Sequence, residues 1–235
     1  MHHFFVTDIQ GDRATFSAEQ AHQIARVLRL PVGSRVRVLD NAGWQYEAEL
    51  VAVGRQVTAV LHDKQPAANE PAIHLTLYQA LLKRDNFEWV LQKGTEIGVA
   101  RFAPLLTART VAHPPHKPDR WQRILTEAAE QCRRGRIPDL AEPLRLEDAW
   151  RAAQAADAAL LPWEGEAGVT ISAALAGKRP STIAVFIGPE GGWTEEEVAN
   201  GRAHGLLPVT LGPRILRAET AAVVSAALVM QSIGE

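Results

Sequence analysis

Apolar strands alternate with helices from about residue 72 onward, and this alternation is the feature that most constrains the fold. Segments with the near-continuous apolar composition of buried strands are IHLTLYQAL, ARFAPLL, DAALLPW, STIAVFIG and LLPVTLG. Helical patterns lie between and after them, in NFEWVLQKGTEIG, DRWQRILTEAAEQCRR, TEEEVANGRAH and AETAAVVSAALVMQSI. Strands of this kind occur in parallel sheets that helices cover on both faces. The sequence therefore predicts an α/β domain over residues 72–235.

The first 66 residues have the composition of a small β-rich unit. RVRVLD has strand composition, and WQYEAELVAV alternates with the period of a half-buried strand. One helix is expected after Ser17, which can cap it, with Gln20 at the position that a capping box needs. We therefore expect a small β-barrel domain over residues 1–66. The segment DKQPAANEP then marks a domain boundary.

The composition favours a cytoplasmic protein that does not enter a membrane. The single cysteine, Cys132, excludes an internal disulfide and fits a reducing compartment. The first ten residues lack the pattern of a signal peptide, and no apolar run is long enough to span a bilayer. The net charge is −2, yet basic residues outnumber acidic ones within residues 73–145. A polyanion can therefore find a local basic face.

The segment FIGPEGGWTEEEV joins a buried strand to a helix through an acidic, glycine-rich loop. Thr194 and Glu197 can form a capping box, and Trp193 can pack on Val198 as a hydrophobic staple. Carboxylates at this helix start disfavour a phosphate, and the glycine fingerprints of dinucleotide and nucleoside triphosphate sites are absent. The loop is either a simple tight turn or one wall of a site for an uncharged or cationic ligand. S-adenosylmethionine, a sulfonium cation without phosphate, fits the second interpretation.

The segment LGPRILRAETAAVVSA places charged residues at the start of an apolar helix. Arg214, Arg217 and Glu219 follow a Gly-Pro turn and directly precede or begin this helix. Charges in such a place are costly unless they are paired or belong to a solvated site. Arg217 and Glu219 are therefore either a structural pair or functional groups. The helix itself is apolar almost all round, so we expect it to be buried in the domain, against a second subunit, or both.

Taken together, these two segments resemble the RsmE family of SPOUT methyltransferases. HQIARVLRL, ALLKRDNFEWVLQKGTEIGV and EAAEQCRRGRIP resemble further family segments, in the same order along the chain. The resemblance implies methylation of N3 of a uridine in small-subunit ribosomal RNA, with S-adenosylmethionine as donor. It also implies a PUA-like barrel, a SPOUT-type parallel sheet with a carboxy-terminal trefoil knot, and a homodimer. The partner is the free RNA or the assembled small subunit.

The resemblance assigns roles to particular residues. Arg217 would stabilise the uridine anion, and Glu219 would orient the base or accept its proton. The residues that it places at the methyl donor are Leu161, Gly188, Pro189, Glu190, Gly191, Gly192, Leu211, Gly212, Ile215, Leu216, Arg217, Thr220 and Ala221. The residues that it suggests for RNA contact are His22, Arg26, Arg29, Lys83, Gln131, Arg134 and Arg136.

Other functions stay open at the level of sequence. A SPOUT enzyme acting on the ribose 2′-hydroxyl typically has a Ser-Leu-Asn element where this chain has RILRAETAA. A non-catalytic RNA-binding protein with the same fold is a second alternative, and an oxidoreductase lacks its nucleotide fingerprint. No metal is expected, because the HPPH segment, His113 to His116, has no further ligands beside it and reads as a loop. Cys132 lacks a nucleophile's surroundings and reads as a small buried residue.

Overall fold

The computed structural model describes residues 1–83, 85–110 and 117–234. The HPPH segment, predicted to be a metal-free loop, lies outside these residues. The chain forms two compact units. The first unit consists of Met1–Glu70 and Thr126–Ile137, and the second of Pro71–Leu125 and Pro138–Glu235.

The first unit contains a six-stranded sheet of order β1-β4-β5-β6-β3-β2. Its strands are β1 (His3–Phe5), β2 (Asp8–Gln10), β3 (Arg13–Thr15), β4 (Arg35–Leu39), β5 (Trp44–Ala52) and β6 (Thr58–Pro66). Only the pairing of β1 with β4 is parallel among these described strands. The apolar core of this unit includes Phe4, Phe16, Ile24, Val38 and Leu50, all buried. The predicted alternation along β5 is confirmed, because Ala48 and Leu50 face this core while their neighbours are more exposed.

The predicted capping box at Ser17 is confirmed. The Ser17 Oγ accepts the Gln20 N–H at 3.2 Å, and the Gln20 Oε1 accepts the Ser17 N–H at 3.1 Å. The helix that follows differs from the prediction, because α1 (Ala18–His22) gives way to a π-helical turn over Gln23–Val27. The wider turn buries Ile24 completely, and hydrophobic periodicity in a short segment cannot distinguish it from an α-helix.

The carboxylate of Glu130 is largely buried within the first unit. Its Oε1 accepts the backbone N–H of Phe5, in β1, at 2.9 Å. Burial raises the pKa of Glu130 from 4.5 to about 7, against the opposing effect of this hydrogen bond. Nearby Glu127 and Glu19 raise the pKa of Glu130 further. Ionised Glu130 therefore destabilises the unit near neutral pH.

The second unit contains a parallel sheet, as predicted. Its order is β10-β8-β7-β12-β11-β13, with β9 paired to β8. The strands are β7 (His74–Ala80), β8 (Arg101–Leu106), β9 (Asp139–Leu140), β10 (Leu144–Arg145), β11 (Ala158–Pro162), β12 (Thr182–Ile187) and β13 (Leu207–Val209). The helices described after α1 are α2 (Asn86–Ile97), α3 (Pro118–Cys132), α4 (Leu146–Ala153), α5 (Ile171–Leu175), α6 (Glu195–Ala203) and α7 (Ala218–Ile233). The sequence patterns did not predict the short elements β9, β10, α4 and α5.

Helices cover both faces of this sheet. On one face, the rings of Tyr78 and Phe186 stack at a centroid distance of 4.3 Å and share a core with Trp150 of α4 and Val198 of α6. On the other face, α2 approaches β8 so closely that a Cβ on Gly94 would lie 2.7 Å from the ring of Phe102. No described helix has both the length and the apolarity that crossing a bilayer requires.

We predict that Glu130→Gln makes the first unit more stable at pH 8 but not at pH 5. A carboxyl whose pKa is raised in the folded state loses stabilising free energy as the pH rises from about 4.5 to about 7. The neutral amide avoids this loss, and its oxygen can still accept the Phe5 N–H. The gain in unfolding free energy at pH 8 should be on the order of 2–3 kcal/mol, since one pKa unit corresponds to about 1.4 kcal/mol.

Urea unfolding at several pH values would measure this gain. Asp12→Asn, at an exposed position of the same unit, is the control and should show no comparable pH dependence. A stability difference between Glu130→Gln and the unmodified protein that stays constant from pH 5 to pH 8 would contradict the prediction.

Candidate active site

A cleft of about 540 Å³ lies in the second unit, where β11 and β12 end. The predicted donor-site residues that line it are Gly188, Pro189, Glu190, Gly191, Gly192, Ile215, Leu216, Arg217 and Ala221. A neighbouring cavity of about 80 Å³ is lined by Leu211 and Gly212, and it shares Glu164, Leu216 and other residues with the cleft. The structure therefore brings together two segments that are separate in sequence.

In the part of the chain that the structure describes, neither Leu161 nor Thr220 lines the cleft or the neighbouring cavity. Leu161 is 1% exposed and belongs to the apolar core of this unit, and its contact with the donor stays a prediction. Its neighbour Pro162 lines the cleft instead. Thr220 is half-buried in the first turn of α7.

Three side chains fix the glycine-rich loop, residues 188–193. The Arg109 Nη1 donates to the carbonyl oxygens of Gly191, at 2.6 Å, and Trp193, at 3.2 Å. The Glu190 Oε1 accepts the backbone N–H of Lys83 at 2.8 Å. Trp193 Nε1 donates to the carbonyl of Pro162 at 3.2 Å, which ties the loop to the end of β11.

Glu197 uses both of its carboxylate oxygens at the end of this loop. One oxygen accepts the Thr194 N–H at 2.8 Å, and the Thr194 hydroxyl accepts the Glu197 N–H at 3.1 Å, which confirms the predicted capping box. The other oxygen accepts the backbone N–H of Ala108 at 2.9 Å. Through these contacts Glu197, which is only 7% exposed, joins the start of α6 to the turn that carries Arg109.

Two glycines of the loop are required by its geometry. Gly192 has φ +70°, and a Cβ there would lie 2.8 Å from the Oε1 of Glu164. A Cβ on Gly188 would lie 3.2 Å from the indole of Trp193. A larger residue at position 192 would have a strained backbone, and one at position 188 would press against Trp193.

Carboxylates dominate the charge of the cleft. Glu164, Glu190 and Glu219 line it together with one guanidinium, that of Arg217. Arg217 is the N-cap residue of α7, and Glu219 lies in the first turn of that helix. Within the described part of the chain, the two do not form an ion pair with each other. The cleft therefore suits a cationic ligand, and Arg217 is available to an anionic group.

The residues predicted to contact RNA are distributed over both units. In the first unit His22, Arg26 and Arg29 are exposed, and Arg29 has φ +52° at the end of the π-helical turn. Gln131 and Arg136 of the first unit are also exposed. Lys83 is exposed in the second unit.

Arg134 is placed differently from the prediction. Its side chain is buried, and its Nε and Nη2 donate to the two carboxylate oxygens of Glu70 at 3.2 Å and 2.7 Å. The Glu70 Oε1 also accepts the backbone N–H groups of Gly135 and Arg136. In this structure Arg134 and Glu70 fix the turn that presents Arg136, and a direct contact of Arg134 with RNA stays a prediction.

Sequence reasoning missed Asn86, Glu164 and Arg109. Asn86 and Glu164 line the cleft, and Arg109 holds its glycine-rich loop. A signal was available, since each of these residues follows a predicted strand, and parallel strands end at a common edge of their sheet.

No cluster of three or more His, Cys, Asp or Glu side chains suited to a metal occurs in the described residues. Cys132 is a half-buried thiol at the end of α3.

Comparison with known proteins defines the class. Residues 69–230 match the family model of the RNA methyltransferase domain. A ribosomal RNA small subunit methyltransferase E from Synechocystis sp. is 40% identical over 216 residues, covering 91% of this chain and 71% of the relative. The enzyme of the same name from Bacillus subtilis is 32% identical over 222 residues, covering 88% and 86%.

A solved structure of a third relative has the same fold. The methyltransferase E from Neisseria gonorrhoeae, bound to S-adenosylmethionine, aligns with a TM-score of 0.87 and 26% identity over 97% of this chain and 95% of that one. The chain therefore belongs to the RsmE family of RNA methyltransferases.

We predict that Glu197→Ala destabilises the second unit by about 1–2 kcal/mol more than Glu196→Ala. Both substitutions remove a carboxylate from the first turn of α6, so the loss of the interaction with the helix dipole is shared. Only Glu197→Ala also removes the capping box and the Ala108 anchor. Urea unfolding of the two variants measures the difference, and equal losses would contradict this account of Glu197.

Proposed function

We propose that the protein transfers a methyl group from S-adenosylmethionine to N3 of a uridine in small-subunit ribosomal RNA. The observation that carries the proposal is the carboxylate-rich cleft in which the glycine-rich loop meets Arg217 and Glu219. Membership of the RsmE family supports it, as do the names of the Synechocystis and Bacillus relatives. The S-adenosylmethionine bound to the Neisseria relative supports the choice of donor.

The cleft has the properties that this donor needs. Its volume of about 540 Å³ lies within the range of about 300–1,000 Å³ that is usual for small-molecule sites. Gly188 and Gly192 let Trp193 and Glu164 pack closely against the loop backbone that forms one wall of the cleft. Glu164, Glu190 and Glu219 can balance the positive sulfonium, and these carboxylates would repel a phosphate-containing cofactor.

The chain's residues have to make uridine N3 nucleophilic and hold it in line. Bound S-adenosylmethionine supplies an electrophilic methyl group. N3 carries a proton, and its removal leaves an anion whose charge spreads to O2 and O4. Arg217, at the N-cap of α7, is placed to stabilise that anion. Glu219, also lining the cleft, is the candidate to orient the base or to accept the proton.

The finer features of the fold belong to the same proposal. We infer that the carboxy-terminal segment forms a trefoil knot, and its path supports this, because β13 pairs with β11 whereas α7 packs against β7 and β12. A homodimer is supported by α7, on which Val223, Val224 and Leu228 stay partly exposed. The six-stranded sheet of the first unit supports a PUA-like barrel. A ribosomal substrate would place the activity in the cytoplasm.

The decisive experiment incubates the protein with methyl-labelled S-adenosylmethionine and small ribosomal subunits that lack the modification. Digestion of the RNA then identifies the labelled nucleoside. We expect 3-methyluridine. Label in a 2′-O-methylated nucleoside would replace the proposal with ribose methylation. Donor binding without label would indicate another RNA substrate, and the absence of both would leave an RNA-binding protein.

We predict that Arg217→Ala lowers kcat about 100- to 1,000-fold while the Kd for S-adenosylmethionine changes little. The expected loss reflects an interaction with charge that develops only on the uridine. Calorimetric titration of the donor and single-turnover methylation would separate binding from chemistry.

Arg179→Ala, which removes an exposed arginine that does not line the cleft, is the matched control and should behave as the unmodified protein. Near-normal turnover by Arg217→Ala with normal donor binding would remove Arg217 from the mechanism.

A further inference from the structure

An aromatic and basic surface lies on the first unit, around the start of β5. Trp44 is 40% exposed, and the ammonium of Lys64 lies 4.5 Å from the centroid of its ring. The same ammonium is 5.7 Å from the ring of Tyr46, which packs on the core of this unit. On the preceding turn, the Nη2 of Arg136 lies 3.3 Å from the carbonyl of Ala42. We call Trp44, Tyr46, Lys64 and Arg136 the Trp44 platform.

Within the described residues, neither Lys64 nor Arg136 forms an ion pair. Three carboxylates of the same unit are engaged with other groups. They are Asp40, which accepts the N–H groups of Ala42 and Trp44; Glu47, which binds Arg35; and Glu70, which binds Arg134.

The cations and the ring together select the chemistry of the partner. An unpaired cationic pair attracts an anion. A partly exposed indole offers a flat apolar surface, and nucleic-acid bases stack on such rings with a gain of about 1–3 kcal/mol each. Each nucleotide of single-stranded RNA carries both groups, a phosphate and an accessible base, whereas the bases of a duplex are already stacked on each other.

We propose that the Trp44 platform binds single-stranded RNA, with a base stacked on Trp44 and with phosphates at Lys64 and Arg136. The site lies in the first unit, whereas the catalytic cleft lies in the second. It deepens the proposed function, on which it rests, by naming unpaired RNA as what the first unit recognises. It adds Trp44, Tyr46 and Lys64 to the RNA contacts that the sequence suggested.

The test measures the binding of a fluorescein-labelled oligouridylate to the full chain by anisotropy, over a series of KCl concentrations. A length of about ten nucleotides lies within the roughly 4–16 nucleotides of known single-strand sites. Trp44→Ala should raise the Kd about 5- to 150-fold, the loss of one stacked base, with the salt slope unchanged. Trp44→Phe should retain most of the affinity, because a ring remains. Lys64→Gln should instead reduce the salt slope by about 0.7, the loss of one phosphate contact.

Trp89→Ala is the matched control, since Trp89 is also 40% exposed but lies in the second unit. It should leave the Kd unchanged. The Trp44→Ala effect should also disappear when a blunt RNA duplex replaces the oligouridylate. Three outcomes would each overturn the proposal. Trp44→Ala could lose as much affinity for the duplex as for the oligouridylate, or its Kd could lie within about twofold of that of Trp89→Ala. The unmodified protein could also fail to bind the oligouridylate at low salt.

Donor binding and methylation of small subunits, measured on the same variants, keep the two proposals apart. Loss of RNA affinity in Trp44→Ala while the unmodified protein yields no 3-methyluridine would support the platform and reject the proposed function. Formation of 3-methyluridine by the unmodified protein, together with unchanged RNA affinity in Trp44→Ala, would support the proposed function and reject the platform. Circular dichroism checks that Trp44→Ala and Trp44→Phe are both folded. If both are folded and only Trp44→Ala loses affinity, the loss reflects the missing ring and not unfolding.

Discussion

The parallel pairing of β12 with β7 on one side and β11 on the other is the constraint on which the site depends. Because neighbouring parallel strands end at the same edge, the segments that follow them must meet there. Asn86, Glu164 and the glycine-rich loop are brought together in this way, although they are far apart in sequence. Glu197 and Arg109 then fix the loop to a neighbouring turn, so that its shape is set before any ligand arrives.

The cleft of the second unit and the Trp44 platform of the first unit carry excess charge of opposite sign. Three carboxylates line the cleft beside one guanidinium, whereas the two cations of the Trp44 platform form no ion pair within the described residues. A net charge of −2 conceals this separation. The arrangement suits an enzyme that has to bind a cationic donor and a polyanionic substrate at the same time, with little competition between the two.

Local features of the structure could be predicted from the sequence, and features that depend on distant partners could not. The capping boxes at Ser17 and Thr194 involve residues three apart, so their chemistry is visible in sequence. Burial of Arg134 depends on Glu70, which is 64 residues away. Leu161 belongs to a strand that is apolar on both faces, and such a strand gives no indication of which residues face a cavity.

The joining of Thr126–Ile137 to the amino-terminal residues has a consequence for the timing of folding during synthesis. Phe5 and Leu39 complete their apolar cluster with Ala129, and the Phe5 N–H meets Glu130. These partners are translated long after residue 70, by several seconds at about 5–20 residues per second. The amino-terminal sheet therefore emerges from the ribosome with Phe5 and Leu39 not yet covered by Ala129. This apolar cluster is completed only after α3 has been synthesised.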